Sequence, residues 1–296
     1  MTAHLTVLYR GPLASCNYDC PYCPFAKRRD SPATLRTDRA ALDRFRDWAT
    51  RNPERHHRLS ILFTPWGEAL TRSWYRDTVV ALSHLPHVGT VAVQTNLSSR
   101  TGWLAAADRT RVALWCTYHP GEVPLDRFVD RCTELDRLGI RHSVGVVGLA
   151  DRIDEATALR AALPSSTYLW VNAEDGRSYD AAEEAAWTAL DPLFGYSARA
   201  HPSAGRPCRT GDSVISVDGD GLVRRCHFVD TPLGNLYDGS YHAALRPRAC
   251  PNTLCDCHIG YVHLQDLPLY EVFAGGVVER VPALLPVPAA PSGRAL

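Results

Sequence analysis

Cys16, Cys20 and Cys23 fall within eight residues, separated by three and then two others, and thiolates at that spacing can wrap one small metal centre. On a 4Fe-4S cube, three cysteines leave one iron without a protein ligand, open to a substrate or cofactor. A fourth ligand from elsewhere would instead close the site as a structural zinc or an electron-carrier cluster. Five further cysteines, Cys208, Cys226, Cys250, Cys255 and Cys257, crowd into fifty residues with little helical period. They read as a second metal site that also staples a segment too poor in apolar residues to fold on its own core, or as a zinc ribbon. The last two of the ten, Cys116 and Cys132, face the core by period and read as small hydrophobes.

The elements that would position these groups follow from hydrophobic period. Apolar or β-branched runs at 5–9, 59–63, 88–94, 112–118, 142–147 and 168–172 predict six strands. Between them lie helical patterns at 38–48, 126–138, 154–163 and 180–190, and one in which Trp74, Thr78, Leu82 and Leu85 share a face. Repeated βα units predict a parallel sheet, and the first cysteine group then sits in the loop after the first strand, at the sheet's carboxyl end where α/β folds place chemistry. Near Pro192 the pattern changes. Residues 213–225 alternate around Asp218-Gly219-Asp220-Gly221, a hairpin signal, and a second, smaller unit is expected from there. The closing VPALLPVPAAPSGRAL reads as a surface-lying or disordered tail.

Composition narrows the classes. The chain has 296 residues with 32 Lys+Arg against 32 Asp+Glu, so no net charge offers itself to nucleic acid or anionic lipid, although a local basic patch fits inside a neutral total. Hydrophobic residues at 45% are ample for a buried core and exclude disorder over most of the chain. The start, MTAHLTVLYR, lacks the charged and apolar regions of a signal peptide, and no run long enough to span a membrane occurs. A cytoplasmic protein is expected, where spaced thiols more often bind metal than form bridges.

At Cys16-x3-Cys20-x2-Cys23, with Tyr22 immediately before the last cysteine, the sequence resembles the radical S-adenosylmethionine (SAM) superfamily. Further matches arrive in order. Thr64-Pro65-Trp66-Gly67-Glu68 is similar to the family's Gly-Gly-Glu motif, with Trp66 replacing the first glycine. Gln94-Thr95-Asn96 looks like its Thr-Asn-Gly, with Leu97 in place of glycine. Val144 to Asp151 partly matches GxIxGxxE, keeping Gly148 and the acid but placing valine at residues 144 and 146. The resemblance covers about residues 4–195. Cys208 and Cys226 bracketing the hairpin, Leu233-Gly234-Asn235 and the late cysteines resemble the SPASM/twitch extension of such enzymes, although the usual late CxxC is here Cys255-x-Cys257 with Cys250 upstream.

The resemblance implies a partial, open (β/α)6 TIM-type barrel over 1–195, a twitch-like auxiliary-cluster domain over 196–275 and a tail over 276–296. It implies a site-differentiated 4Fe-4S cluster on Cys16, Cys20 and Cys23, SAM as cofactor, and one auxiliary 4Fe-4S cluster on Cys208, Cys226 and some of Cys250, Cys255 and Cys257. His258 either joins the cysteines or is a solvated neighbour. Tyr22, Gly67, Glu68, Asn96, Val146 and Gly148 are the expected cofactor contacts; Glu68 alone would otherwise read as a carboxylate favoured by a helix N-terminus. Tyr118, His119, Glu122 and Asp175, at strand ends, are the candidate proton acceptors, and each taken alone also reads as a capping or turn residue. The implied activity is reductive cleavage of SAM to a 5′-deoxyadenosyl radical that abstracts a substrate hydrogen atom. The expected outcome is two-electron oxidation of a small molecule, or crosslinking or epimerisation of a peptide. Because the chain begins almost directly with the first strand, a small molecule or a separately delivered peptide is expected. The implied electron donor is a flavodoxin or ferredoxin. The rival is a non-catalytic iron-sulfur or zinc protein.

Overall fold

The computed structural model describes residues 3–25, 29–51 and 57–284. Six strands, β1 (Ala3–Arg10), β2 (His57–Phe63), β3 (Val88–Thr95), β4 (Val112–Thr117), β5 (Arg141–Gly148) and β6 (Leu169–Ala173), pair parallel in chain order. Helices α1 (Pro32–Arg51), α2 (Ser73–Ser83), α3 (Leu125–Leu138), α4 (Ile153–Ala162) and α5 (Ala181–Leu190) alternate with them, followed by the short α6 (Phe194–Ser197). Local chemistry sets their ends. Gly139 closes α3 in the left-handed conformation at φ 69°, and Asp180 and Glu183 form a reciprocal capping box at the start of α5.

The strands sort their side chains by alternation. Val7, Tyr9, Ile61, Phe63, Val91, Val93, Leu114, Cys116 and Val144 pack against the helices, whereas Leu8, Leu62, Ala92, Ala113, Trp115 and Trp170 face the concave side. Cys116 and Cys132 are both buried in the helix-facing core, as their period predicts.

The small cysteine-rich unit is not separate from the sheet. Strand pairs β7 (His201–Pro202) and β13 (Leu254–Cys255), and β8 (Pro207–Cys208) and β12 (Arg248–Ala249), tie it together. The hairpin strand β9 (Val214–Asp218) runs parallel to β1 from Thr6↔Val214 to Arg10↔Asp218, and β10 (Leu222–Arg224) and β11 (Pro232–Asn235) extend it. The result is one nine-stranded sheet of order β11-β10-β9-β1-β2-β3-β4-β5-β6, open between β11 and β6. The predicted partial open barrel is therefore present, with the hairpin as its continuation.

The concave side is filled by the chain's later part. Ile259, Val262, Leu269 and Phe273 of the segment containing α7 (Leu269–Phe273), then Val277 and Val278, pack on Leu8, Trp115 and Trp170. This corrects the tail boundary at 276. Glu279 is fully buried with Arg141 Nε 2.6 Å away, and the Arg280 guanidinium lies over the ring of Trp115. A tail rich in Pro and Ala can therefore begin only beyond Arg280; residues 285–296 lie outside the described residues. Among the described residues no helix is long and apolar enough to cross a membrane.

Candidate active site

The loop after β1 is pinned before its cysteines begin. The Asp30 carboxylate accepts from the backbone N–H groups of Ala14 and Ser15, each at 2.8 Å, and from the Ser15 hydroxyl. Buried Asp38 accepts from the Leu13 N–H, the Trp74 indole and the Tyr75 hydroxyl. The loop after β2 then docks on it, with Gly67 N–H bonded to Leu13 O and Glu68 N–H to Ser15 O. A Cβ on Gly67 would lie 2.0 Å from Ser15 O, so only glycine permits this approach.

Cys16, Cys20 and Cys23 line one cavity of about 190 Å³ together with Gly67, Glu68, Asn96 and His119. The structure thus gathers these predicted residues, contributed by four separate loops. Among the described residues no three His, Cys, Asp or Glu side chains close onto a single ion; the thiols ring a space instead. Burial pushes the Cys20 thiol up to about 11 and raises that of Cys16, so loading a metal centre must release protons here.

Glu68 carries both roles weighed for it. It caps the short turn Ala69–Thr71 by accepting from Leu70 N–H, and it also accepts from the Thr95 hydroxyl and the Asn96 N–H, at 4% exposure. Asn96 turns its side-chain amide toward Cys16 Sγ, at 3.7 Å, and Asn17 Oδ1, at 3.1 Å. Leu97, where the resemblance expects glycine, adopts φ 54°, the left-handed region that glycine suits. Tyr22 OH and His119 Nδ1 are 2.8 Å apart, and the same nitrogen is 3.4 Å from Cys20 Sγ. Burial lowers the His119 pKa to about 4, so the imidazole is neutral near pH 7. Glu122 accepts from the Asp19 N–H and so ties the cysteine loop to the turn after β4.

Other expected residues stand elsewhere. Tyr118 is buried in the helix-facing core against Phe128, because Trp115 and Thr117 point inward and Cys116 and Tyr118 outward. It is no proton acceptor in the cavity. Asp175 is exposed on the loop after β6 and is not part of the cavity wall. The Val146 side chain packs toward the helices, and Gly148 O accepts from the Tyr179 hydroxyl, so an adenine contact at either residue falls to backbone. Asp151 pairs with Arg152 at the surface.

All five later cysteines line a second cavity of about 90 Å³, beside Leu8, His227 and Gly260. Cys208 is held by β8, Cys255 by β13, and Cys250 by bonds between its backbone and those of Gly205 and Arg206. Burial first, and the four other thiols next, push the Cys255 thiol up to about 12; burial takes that of Cys226 to about 11. Cys250 thus lines the same cavity as the other four. His258 is bonded to Ala173 O and lies 3.4 Å from Ser197 Oγ, so it belongs to the packing and is not a solvated neighbour. A wall carrying five thiols suits iron-sulfur or zinc chemistry, and four of them suffice for one 4Fe-4S cube. Sequence reasoning missed Arg10, whose guanidinium lies 3.9 Å over the ring of Trp66; strand alternation from Leu8 was the available signal.

The fold matches that of solved proteins. Over 82% of this chain and 80% of the other, it superposes on anSMEcpe with bound AdoMet at TM-score 0.52 and 13% identity. AnSMEcpe with bound AdoMet and Cp18Cys peptide matches over 82% of both chains at TM-score 0.51 and 15% identity. Streptococcus suis SuiB matches over 82% of this chain and 67% of its own, at TM-score 0.51 and 15% identity. At these identities the likeness is one of fold. No family profile matches the sequence, and no curated protein does.

Proposed function

We propose that this chain is a radical SAM enzyme with a catalytic 4Fe-4S cluster on Cys16, Cys20 and Cys23 and an auxiliary cluster in the five-thiol cavity. One observation carries the reading: three thiols at the CxxxCxxC spacing share a cavity wall with Glu68 and Asn96, in a fold shared with a protein that binds AdoMet. A 4Fe-4S cluster held by Cys16, Cys20 and Cys23 would supply the reducing electron for cleavage of bound SAM, and so the radical chemistry that begins with removal of a substrate hydrogen atom. The chain's own residues do the positioning. Glu68, fixed on three donors, offers its remaining lone pairs to the SAM ammonium, and Gly67 lets the backbone approach. Neutral His119 and Tyr22 orient Cys20.

The substrate is a small molecule that undergoes two-electron oxidation, and a flavodoxin or ferredoxin is the electron donor. A peptide substrate is the second reading, favoured by the peptide bound to anSMEcpe. Anaerobic reconstitution, iron and sulfide counting, and incubation with SAM and dithionite test the function. Loss of 5′-deoxyadenosine at full iron content would refute it. About eight irons per chain are expected, and about four would remove the auxiliary cluster. Cys16→Ala should abolish SAM cleavage, whereas Cys226→Ala should retain cleavage without product; the converse would overturn the two roles.

A further inference from the structure

Arg10 touches a wall residue of the first cysteine cavity and shares its strand face with a wall residue of the second. Leu8, two residues earlier on the same face of β1, lines the second cavity. The Arg10 guanidinium lies over Trp66, which lines the first. Its Nε donates to Thr64 O at 2.9 Å, while its two Nη atoms make no hydrogen bond among the described residues. Among the described residues no carboxylate pairs with it. Burial lowers its pKa to about 10, which leaves it charged near neutral pH.

His227 supplies the second observation. Its Nδ1 is 2.9 Å from Ser216 Oγ, and its Nε2 is buried on the second cavity's wall with no hydrogen-bond partner among the described residues. Two Nη atoms on a half-buried guanidinium and a buried ring nitrogen on the cavity wall are thus left with no protein partner among the described residues, the kind of groups a polar ligand satisfies.

We propose that Arg10, with His227 beside it, anchors a carboxylate of the substrate and holds that molecule between the two cysteine cavities. Two coplanar Nη groups match the two oxygens of a carboxylate. The other arginines nearby are engaged: Arg280 donates to Val277 O and His258 O, and Arg224 pairs with Asp218. That the bound molecule is the substrate rests on the function proposed above; the anion site does not.

The test is phenylglyoxal labelling of the reconstituted full-length protein, with the Arg10 adduct quantified by peptide mass spectrometry and exposed Arg44 as internal control. Valerate at concentrations above a millimolar Kd should slow Arg10 labelling about fivefold, and valeramide should leave it unchanged. His227→Phe should weaken that protection. Equal protection by the amide, protection by inorganic phosphate but not valerate, or full protection by SAM alone would each overturn the proposal. Protein that protects Arg10 as expected yet yields no 5′-deoxyadenosine would refute the function and leave the anion site standing. SAM cleavage without any protection by valerate would do the reverse.

Discussion

The backbone N–H of Asn96 donates to Glu68 Oε2 at 2.7 Å, which locks the end of β3 to the loop after β2. Oε1 of the same carboxylate accepts from Leu70 N–H and the Thr95 hydroxyl. Burial raises the Glu68 pKa, while these three donors oppose the shift. The carboxylate that would meet an ammonium group is thus also a structural joint.

Glu68→Gln should therefore act twice. Its amide nitrogen must face at least one donor, which costs about 1–3 kcal/mol of stability. It also removes the charge offered to the SAM ammonium, so the SAM Kd should rise by about tenfold or more. Thr95→Val removes one donor and keeps the charge. It should cost about 1 kcal/mol with SAM binding nearly unchanged. Urea unfolding and equilibrium dialysis with SAM read the two effects. Equal losses of SAM affinity in both variants would remove Glu68 as an ammonium partner.

Gly67→Ala tests the close approach of the two loops. With the new Cβ 2.0 Å from Ser15 O, the cysteine loop must move away, and overpacking of this kind costs about 1–3 kcal/mol. Iron at the first site should fall, and iron at the second should stay. Reconstituted Gly67→Ala protein with a full iron count and SAM cleavage at the unmodified level would show that the contact does not position the cysteines.

Strand phase explains what the sequence could and could not tell. The six parallel strands were legible because alternating burial left their periods intact, and the first cysteine loop, Gly67, Glu68 and Asn96 followed from their place after β1, β2 and β3. Tyr118 falls outside the cavity because strand alternation, and not nearness to the strand end, decides its side; the inward Trp115 and Thr117 turn it toward the helices. Arg10 sits inside a strand, and its meaning depends on Trp66, which pairing of β1 with β2 brings near. No local pattern encodes that meeting. The hairpin reads in sequence as the start of a separate domain because composition changes at Pro192, yet backbone pairing with β1 does not depend on composition.

Asp191 gives a pH dependence with a defined sign. It accepts from the Tyr168 hydroxyl and from the backbone N–H groups of Val171 and Leu193, and burial raises its pKa to about 6 from 3.8. Between those values the folded state binds a proton that the unfolded state has released. Its contribution is full below 3.8 and is lost as pH rises through about 6, about 3 kcal/mol at most. Asp191→Asn should lack that dependence. The stability difference, wild type minus variant, should then shrink from pH 4 to pH 7 in urea titrations, and a difference that grows would reverse the assignment.

The buried segment before the end of the described chain should matter more than its position suggests. Val277 and Val278 are 8% and 6% exposed and pack on the concave face of the sheet. Burying each contributes about 1.5–3 kcal/mol. Glu279 O accepts from the Ser143 hydroxyl in the middle of β5, and the Arg280 guanidinium covers Trp115. A chain ending at Gly275 would uncover Trp115 and leave the Arg141 guanidinium without its carboxylate. Its urea midpoint should drop by an amount equivalent to several kcal/mol, a large share of a domain's total stability. Because Trp115 and Trp170 pack edge to face with ring centres 5.4 Å apart, the same truncation should shift tryptophan emission to longer wavelength. Val277→Ala, which removes two methyl groups and leaves the backbone in place, should lower the midpoint by a smaller step with no emission shift. Unchanged unfolding in the truncated chain would return residues 276–280 to the expected tail.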